Sequence, residues 1–293
     1  MNIALIGCGK WGSNIYQVLL EQKLLYRLYD LNKVKPEVSA DSLEAILNDP
    51  AVDGVVIATP VVTHYEIAKK VLEAKKPVLV EKPFVLNSKD ARELVRLADH
   101  QKVILMVGHL LHYHPAIIKL KELIADGNLG ELRYIYSDRL NFGQIRTEEN
   151  VWWSFAPHDI SIILSLIGKK PERVYAFGSD LMKNGIADMT LTIMNFDSVT
   201  AHIHVSWFNP SKVQRLAVIG SKGSVVFDGV ENELTFYQRQ NDVMVANAMT
   251  FGTVPALTRE IEHFVDCIKF GRIPLTDGKE GQRVVEVLEE AIL

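Results

Sequence analysis

Three glycines, Gly7, Gly9 and Gly12, follow a short apolar run and open a helical stretch, the context in which a glycine turn can hold a pyrophosphate. Gly7 permits the tight turn, Gly9 lets the backbone approach the phosphates, and Gly12 allows the helix to pack closely on the strand. The helix N-terminus then faces the anion. Lys10 and Trp11 lie inside the same turn and are assigned with it to a bound dinucleotide. Asp30 falls at the end of the second predicted strand, where a carboxylate accepts hydrogen bonds from ribose hydroxyls and repels a 2'-phosphate. The expectation is NAD over NADP. Lys33 tempers it, because a nearby cation can compensate a phosphate.

Two further clusters fall at the carboxyl ends of predicted parallel strands, where ligands bind in open α/β sheets. The first is Ala58-Thr59-Pro60, followed by Thr63 and His64; the second is Glu81-Lys82-Pro83. Spacing alone also allows Glu81 and Lys82 to be a solvated ion pair. His158, after Pro157, has the residue type for acid-base work, and the alternative is a histidine that caps or packs at a helix start. His109, His112 and His114 have no carboxylate partner in metal-ligand spacing, so no metal is expected; His109 is instead placed near the nicotinamide. His202 and His204 alternate on one strand face, a surface or sheet-packing pattern. Arg139, Arg146 and Arg215 are candidate diphosphate anchors or sheet-edge charges, and Trp153 and Trp207 are candidate stacking platforms or core residues.

These residues need a scaffold, and 293 residues with 48% hydrophobic content provide for two domains. Residues 1–125 are expected to form a Rossmann domain with a doubly wound parallel sheet. Residues 126–293 are expected to form an α+β substrate-binding and oligomerisation domain with a mostly antiparallel open sheet. In the first, strands are predicted at Asn2–Ile6, Leu25–Tyr29, Gly54–Ala58, Val78–Val80 and Val103–Val107, alternating with amphipathic helices. Ala91, Leu94, Val95 and Ala98 share one helical face, with Ser88 as the predicted N-cap. Between Leu31 and Val52, Pro36 and a cap at Asp41 or Ser42 leave room only for an abbreviated crossover. A linking helix is predicted over Pro115–Ala125, ended by Gly127 and Gly130.

The rhythm then changes to strands at Leu132–Leu140, Arg173–Phe177, Met189–Phe196, Val199–Trp207, Val213–Ile219, Ser224–Phe227 and Glu233–Tyr237, read as an antiparallel sheet. Helices at Asp159–Leu166, Leu257–Phe270 and Gly281–Ile292 are expected to cover one face of it, with the C-terminal ones able to pack back on the first domain instead. With 32 basic and 36 acidic residues, a formal charge of -4 and no long charge run, the chain offers no nucleic-acid patch. Two cysteines, Cys8 and Cys267, make no disulfide framework, and neither a signal peptide nor a membrane span is read from the sequence. The expected setting is the cytoplasm, with small molecules or copies of itself as partners.

Taken together, the glycine turn, Ala58-Thr59-Pro60 with His64, Glu81-Lys82-Pro83 and His158 resemble the glucose-fructose oxidoreductase, inositol dehydrogenase and MocA family. The resemblance spans nearly the whole chain. It implies an NAD-dependent oxidoreductase in which Lys82 contacts nicotinamide ribose and substrate hydroxyl, Pro83 is often cis, and His158 exchanges the hydroxyl proton during hydride transfer. One helical turn before His158, where many family members carry an aspartate, this chain has Ser154, which can orient an imidazole but cannot stabilise its charged form. Lys82 then carries more of the proton chemistry, or another carboxylate completes the relay. His112 stands where the family often has arginine.

The run from Val151 to Asp159 is similar to that of family members that oxidise UDP-N-acetylhexosamines at the ring 3-hydroxyl. Trp153 and Ser154 of that run, and Arg146 as a candidate diphosphate anchor, join Lys82 and His158 as expected substrate contacts. The family also implies a homo-oligomer. Two alternatives remain at this point: a protein of the same fold that uses held NAD for glycoside cleavage, and a dinucleotide-binding regulator without catalysis.

Overall fold

The structure, a computed structural model, describes residues 1–32, 38–143, 149–182 and 185–291. The chain divides into two compact units, Met1–Leu110 with Pro255–Val285, and Leu111–Val254 with Glu286–Leu293. The division falls before the linking helix rather than at residue 125, and the second unit is interrupted by a returning segment.

In the first unit, β1 (Ile3–Ile6), β3 (Gly54–Ile57), β4 (Val78–Glu81) and β5 (Leu105–Gly108) are buried along their whole length, which is why each reads as an unbroken apolar run. With β2 (Leu25–Tyr29) they form a five-stranded parallel sheet in the order β2-β1-β3-β4-β5. Helices α1 (Gly12–Glu21), α3 (His64–Glu73) and α4 (Ser88–Gln101) provide crossovers. The crossover from β2 to β3 is reduced to the five-residue helix α2 (Leu43–Leu47), whose N-cap Ser42 accepts a bond from the Ala45 amide. At α4 the cap is Asn87, not Ser88: the Asn87 side chain accepts from the Asp90 amide, and Ser88 is the first helical residue. The favoured cap residue nearest the apolar run was thus one position late.

Of the two placements open to the C-terminal helices, the first helix and most of the second take the one on the first unit. Helix α7 (Ala256–Phe270) lies in the first unit, and atoms of Phe264 and Ile268 crowd the place where a Gly54 Cβ would stand. Helix α8 (Gly278–Glu290) begins there too, with Gly281 against Val107 and Phe84, and its last residues belong to the second unit. Both helices are amphipathic, and amphipathicity states that a face is buried without naming the sheet that buries it.

The second unit opens with helix α5 (Pro115–Ala125) and holds an eight-stranded sheet ordered β13-β12-β11-β10-β6-β9-β8-β7. Its strands are β6 (Leu132–Phe142), β7 (Arg173–Ser179), β8 (Met189–Phe196), β9 (Val199–Ser206), β10 (Phe208–Gly220), β11 (Gly223–Asp228), β12 (Glu233–Gln240) and β13 (Val243–Ala248). Every pairing is antiparallel except β6 with β9, which is parallel because helix α6 (Val151–Ile167) lies in the connection between them. The edge strand β13 escaped the sequence reading: it is short and mostly exposed, so burial imprints no alternation on it.

Helix α6 starts at Val151, two turns earlier than predicted. Asn150 caps it by accepting from the Trp153 amide, and Pro157 sits inside the helix rather than at its start. Its inner side is anchored by Trp152, fully buried, whose indole N–H donates to the Leu288 carbonyl. No helix among the described residues is long and apolar enough to cross a membrane.

Candidate active site

In the first unit the glycine turn has the geometry its sequence demands. Gly7 has φ of +91°, and a Cβ at Gly12 would stand 2.3 Å from the Gly7 carbonyl oxygen, so both must be glycine for the backbone itself. Gly9 differs: a Cβ there would meet nothing within 4 Å. Asp30 sits beside the turn, its Oδ2 accepting from the Cys8 amide at 2.7 Å and its Oδ1 from the Asn32 amide at 2.8 Å. Its carboxylate therefore holds the turn in shape, and lone pairs remain for ribose hydroxyls. Lys10 is exposed in the turn. Lys33 lies outside the described residues.

Trp11, 41% exposed, turns its indole N–H onto Glu81 Oε1 at 2.5 Å, tying the glycine turn to the end of β4. Glu81 is nearly buried and its other oxygen accepts from the Lys82 amide at 3.1 Å, so the solvated ion-pair alternative does not hold for it. Burial pushes the Glu81 carboxyl above its ordinary pKa, opposed by the Trp11 bond and by the charges of Lys82 and His109. Gly108, its neighbour across the β4–β5 pair, leaves room for that carboxylate. The Lys82–Pro83 peptide bond is cis.

The two histidines expected at the cofactor are both buried. His64 is 1% exposed, with Nδ1 2.9 Å from the Pro83 carbonyl oxygen and Nε2 2.9 Å from that of Thr59. Thr59 and Pro60 form the turn before it, where Thr63 Oγ1 donates within the turn to Thr59 Oγ1 or the Pro60 carbonyl. His109 is equally buried, with Nδ1 2.6 Å from Glu280 Oε2 on α8. Sequence reasoning missed Glu280, and it missed Glu260 on α7, a fully buried carboxyl. Neither lies in a motif, and only the packing of the returning helices brings them under the strand ends.

In the second unit α6 carries Trp153, Ser154 and His158; Ser154 is buried, Trp153 and His158 half-buried. Asp159 takes a two-pronged bond from Arg139 at 2.8 and 3.0 Å, with Ser137 Oγ donating to it at 2.7 Å. Burial opposes the charge on Arg139, and the Asp159 carboxylate more than offsets it, raising the guanidinium pKa. Arg139 and Arg215 line one cavity of about 70 Å³, too small for a diphosphate-bearing sugar. Arg215 also reaches Asp228 at 3.4 Å, so these two arginines serve the sheet. Arg146 lies outside the described residues.

Trp207 is buried with Phe155 edge-on against it, which makes it a core residue. His112 is also buried: Lys121 Nζ stands 3.0 Å from its Nδ1 and Ser161 Oγ 2.7 Å from its Nε2. His202 stacks on Tyr136 and bonds Tyr134, and His204 stands 3.6 Å from Asp138. Among the described residues no group of three or more His, Cys, Asp or Glu is placed to hold a metal.

Known proteins resemble the chain over most of its length. Residues 1–109 match the family described as "Oxidoreductase family, NAD-binding Rossmann fold", and residues 117–226 match the "GFO/IDH/MocA C-terminal domain". The UDP-N-acetylglucosamine 3-dehydrogenase of Acidithiobacillus ferrooxidans is 28% identical over 97% of this chain and 94% of its own. A solved structure of that enzyme superposes with a TM-score of 0.91, covering 99% of this chain and 96% of the other. The myo-inositol 2-dehydrogenase of Thermotoga maritima is 26% identical over 96% of this chain and 92% of its own. With its glycine turn, its Glu81-Lys82-Pro83 strand end and its second sheet all in place, the chain belongs to the Gfo/Idh/MocA family of oxidoreductases.

Proposed function

We propose that the protein is an NAD-dependent dehydrogenase of a sugar secondary alcohol, with a UDP-N-acetylhexosamine oxidised at the ring 3-hydroxyl as its substrate. The observation that carries this reading is the bond from Trp11 to Glu81, which ties the phosphate-binding turn after β1, across the end of β3, to the end of β4, where Lys82 follows. NAD fits the glycine turn, where the open space beside Gly9 suits a pyrophosphate and Asp30 disfavours a 2'-phosphate. When bound, the nicotinamide supplies the hydride acceptor.

The residues of this chain orient the substrate and move the proton. Lys82 binds the reacting hydroxyl, and His158 accepts its proton as the carbinol hydride leaves. Ser154 cannot supply a carboxylate to the imidazole, and Asp159 is bonded to Arg139, so the Lys82 ammonium carries more of the work of stabilising the alkoxide that forms as the proton passes to His158. Trp153, Ser154 and Arg146 contact the substrate. The 28% identity to the UDP-N-acetylglucosamine enzyme across nearly the whole chain favours a nucleotide sugar over an inositol, whose dehydrogenase stands at 26%.

The working form is a homo-oligomer in the cytoplasm, joined through the open face of the second sheet. Tyr175, Phe177, Leu191 and Ile193 are exposed there, in register across β7 and β8. Both cysteines are free thiols, in keeping with a reducing setting.

The reading is tested by a thermal-shift screen of UDP-sugars, free sugars and inositols with NAD present, followed by turnover assays of wild type and Lys82→Ala. A UDP-N-acetylhexosamine is expected to raise Tm, and Lys82→Ala to cut turnover by about 10²- to 10⁴-fold while NAD still binds. Turnover undiminished in Lys82→Ala removes the assignment.

A further inference from the structure

His64 opens α3 and is 1% exposed, yet both its ring nitrogens face backbone carbonyls. Nδ1 lies 2.9 Å from the Pro83 oxygen and 3.3 Å from that of Phe84, and Nε2 lies 2.9 Å from the Thr59 oxygen. A neutral imidazole has one N–H and one lone pair. In either tautomer one nitrogen would therefore present its lone pair to a carbonyl lone pair at hydrogen-bond distance, with no room for a water between them. Only the doubly protonated ring satisfies both sides, and charge-assisted bonds of this kind are the stronger ones.

We infer that His64 is a buried imidazolium at neutral pH, a cationic clasp that joins the segments following β3 and β4 and so positions Lys82. The charged groups on the segments it joins are Glu81 and Lys82, and His109 ends the neighbouring strand. One turn further along α3 stand Ile67 and Ala68, so that helix face brings no carboxylate to it. The ring's charge is met by carbonyl dipoles that converge on it. Lys82 is then held from both sides: its own amide donates to Glu81 Oε2 at 3.1 Å, and the next carbonyl, that of Pro83, accepts from His64. His64 is thus a positioning residue, acting through the backbone it joins. Its bearing on Lys82 rests on the function proposed above; its protonation state does not.

The test is nitrogen NMR of the full protein labelled in its histidines, read without substrate, with His64 assigned through couplings across its hydrogen bonds to labelled Thr and Pro carbonyls. Two protonated ring nitrogens at neutral pH, coupled to the Thr59 and Pro83 carbonyls, are expected. One bare nitrogen at that pH overturns the inference, whatever the enzyme proves to oxidise. As a second arm, His64→Gln, which can donate to one side and meets the other with a like dipole, is expected to weaken NAD binding about tenfold. NAD affinity equal to wild type in a folded His64→Gln variant overturns the clasp. Where that variant does not fold, the NMR result on the wild type decides alone.

Discussion

At the scale of single residues, the recurring theme is that groups chosen for chemistry are also tied to backbone. Asp30 is chosen as the ribose carboxylate, and its oxygens also accept from the Cys8 and Asn32 amides. A test of its cofactor role must therefore remove charge and keep an acceptor. Asp30→Asn does this, and it is expected to shift the NADP-to-NAD affinity ratio about tenfold toward NADP, as measured by isothermal titration of each dinucleotide. An unchanged ratio would place cofactor choice elsewhere.

His64 and His109 show the same theme from the other side. Their positions at strand ends were legible, while their burial was not, because a sequence states which strand a residue ends and not which helix will cover it. Glu280 covers His109 from a helix far along the chain, and no spacing rule connects the two.

Among the elements, the strands of the first sheet could be read almost residue by residue, because β1, β3, β4 and β5 are buried on both faces and must be apolar throughout. The sheet that the two C-terminal helices cover stays open in the sequence because local periodicity reports burial and not the partner, and β13 is illegible because it is mostly exposed. Helix α6 was cut short because Pro157 reads as a start signal, whereas Asn150 supplies the cap and the helix runs through the proline.

The glycine turn offers a sharp contrast within one element. Gly12→Ala would place a Cβ 2.3 Å from the Gly7 carbonyl, so it is expected to lower Tm and abolish dinucleotide binding together. Gly9→Ala meets open space, so it is expected to leave Tm within about 1 °C of wild type while NAD affinity falls at least tenfold. Melting curves and NAD titration on the two variants separate a structural glycine from a ligand-facing one. A Gly9→Ala protein that binds NAD normally would show that phosphates do not approach there.

Helix α7 supplies a pH-dependent term. Glu260 is fully buried, and desolvation, with the like charge of Glu81 adding to it, holds its pKa well above the ordinary carboxyl value. The folded protein thus binds a proton that the unfolded chain releases at lower pH. This contribution to stability is fully present below the unfolded pKa and is lost as pH rises through the folded one. Glu260→Gln is never charged, so it is expected to melt like wild type near pH 4 and above it at pH 8, by about 2–4 °C for each kcal/mol recovered. Equal melting temperatures at pH 8 would mean that the carboxyl is not held neutral.

For the molecule as a whole, the second sheet presents Tyr175, Phe177, Leu191 and Ile193 to its open side, more apolar surface than a lone unit gains by exposing. A second copy packed on that face is the proposed cover. Ile193→Asp together with Leu191→Asp is expected to convert an oligomer into monomers in size-exclusion chromatography with light scattering. A wild-type protein that is monomeric at micromolar concentration would leave that face without the assigned role.

The central claim, that this chain moves a hydride from a sugar carbinol to NAD, is tested most directly by mixing the protein with NAD and UDP-N-acetylglucosamine and following the NADH absorbance band. Growth of that band in step with a keto-sugar product, and its loss in Lys82→Ala, is the predicted result. No NADH from UDP-N-acetylhexosamines, free sugars or inositols, by a protein that demonstrably binds NAD, would contradict it.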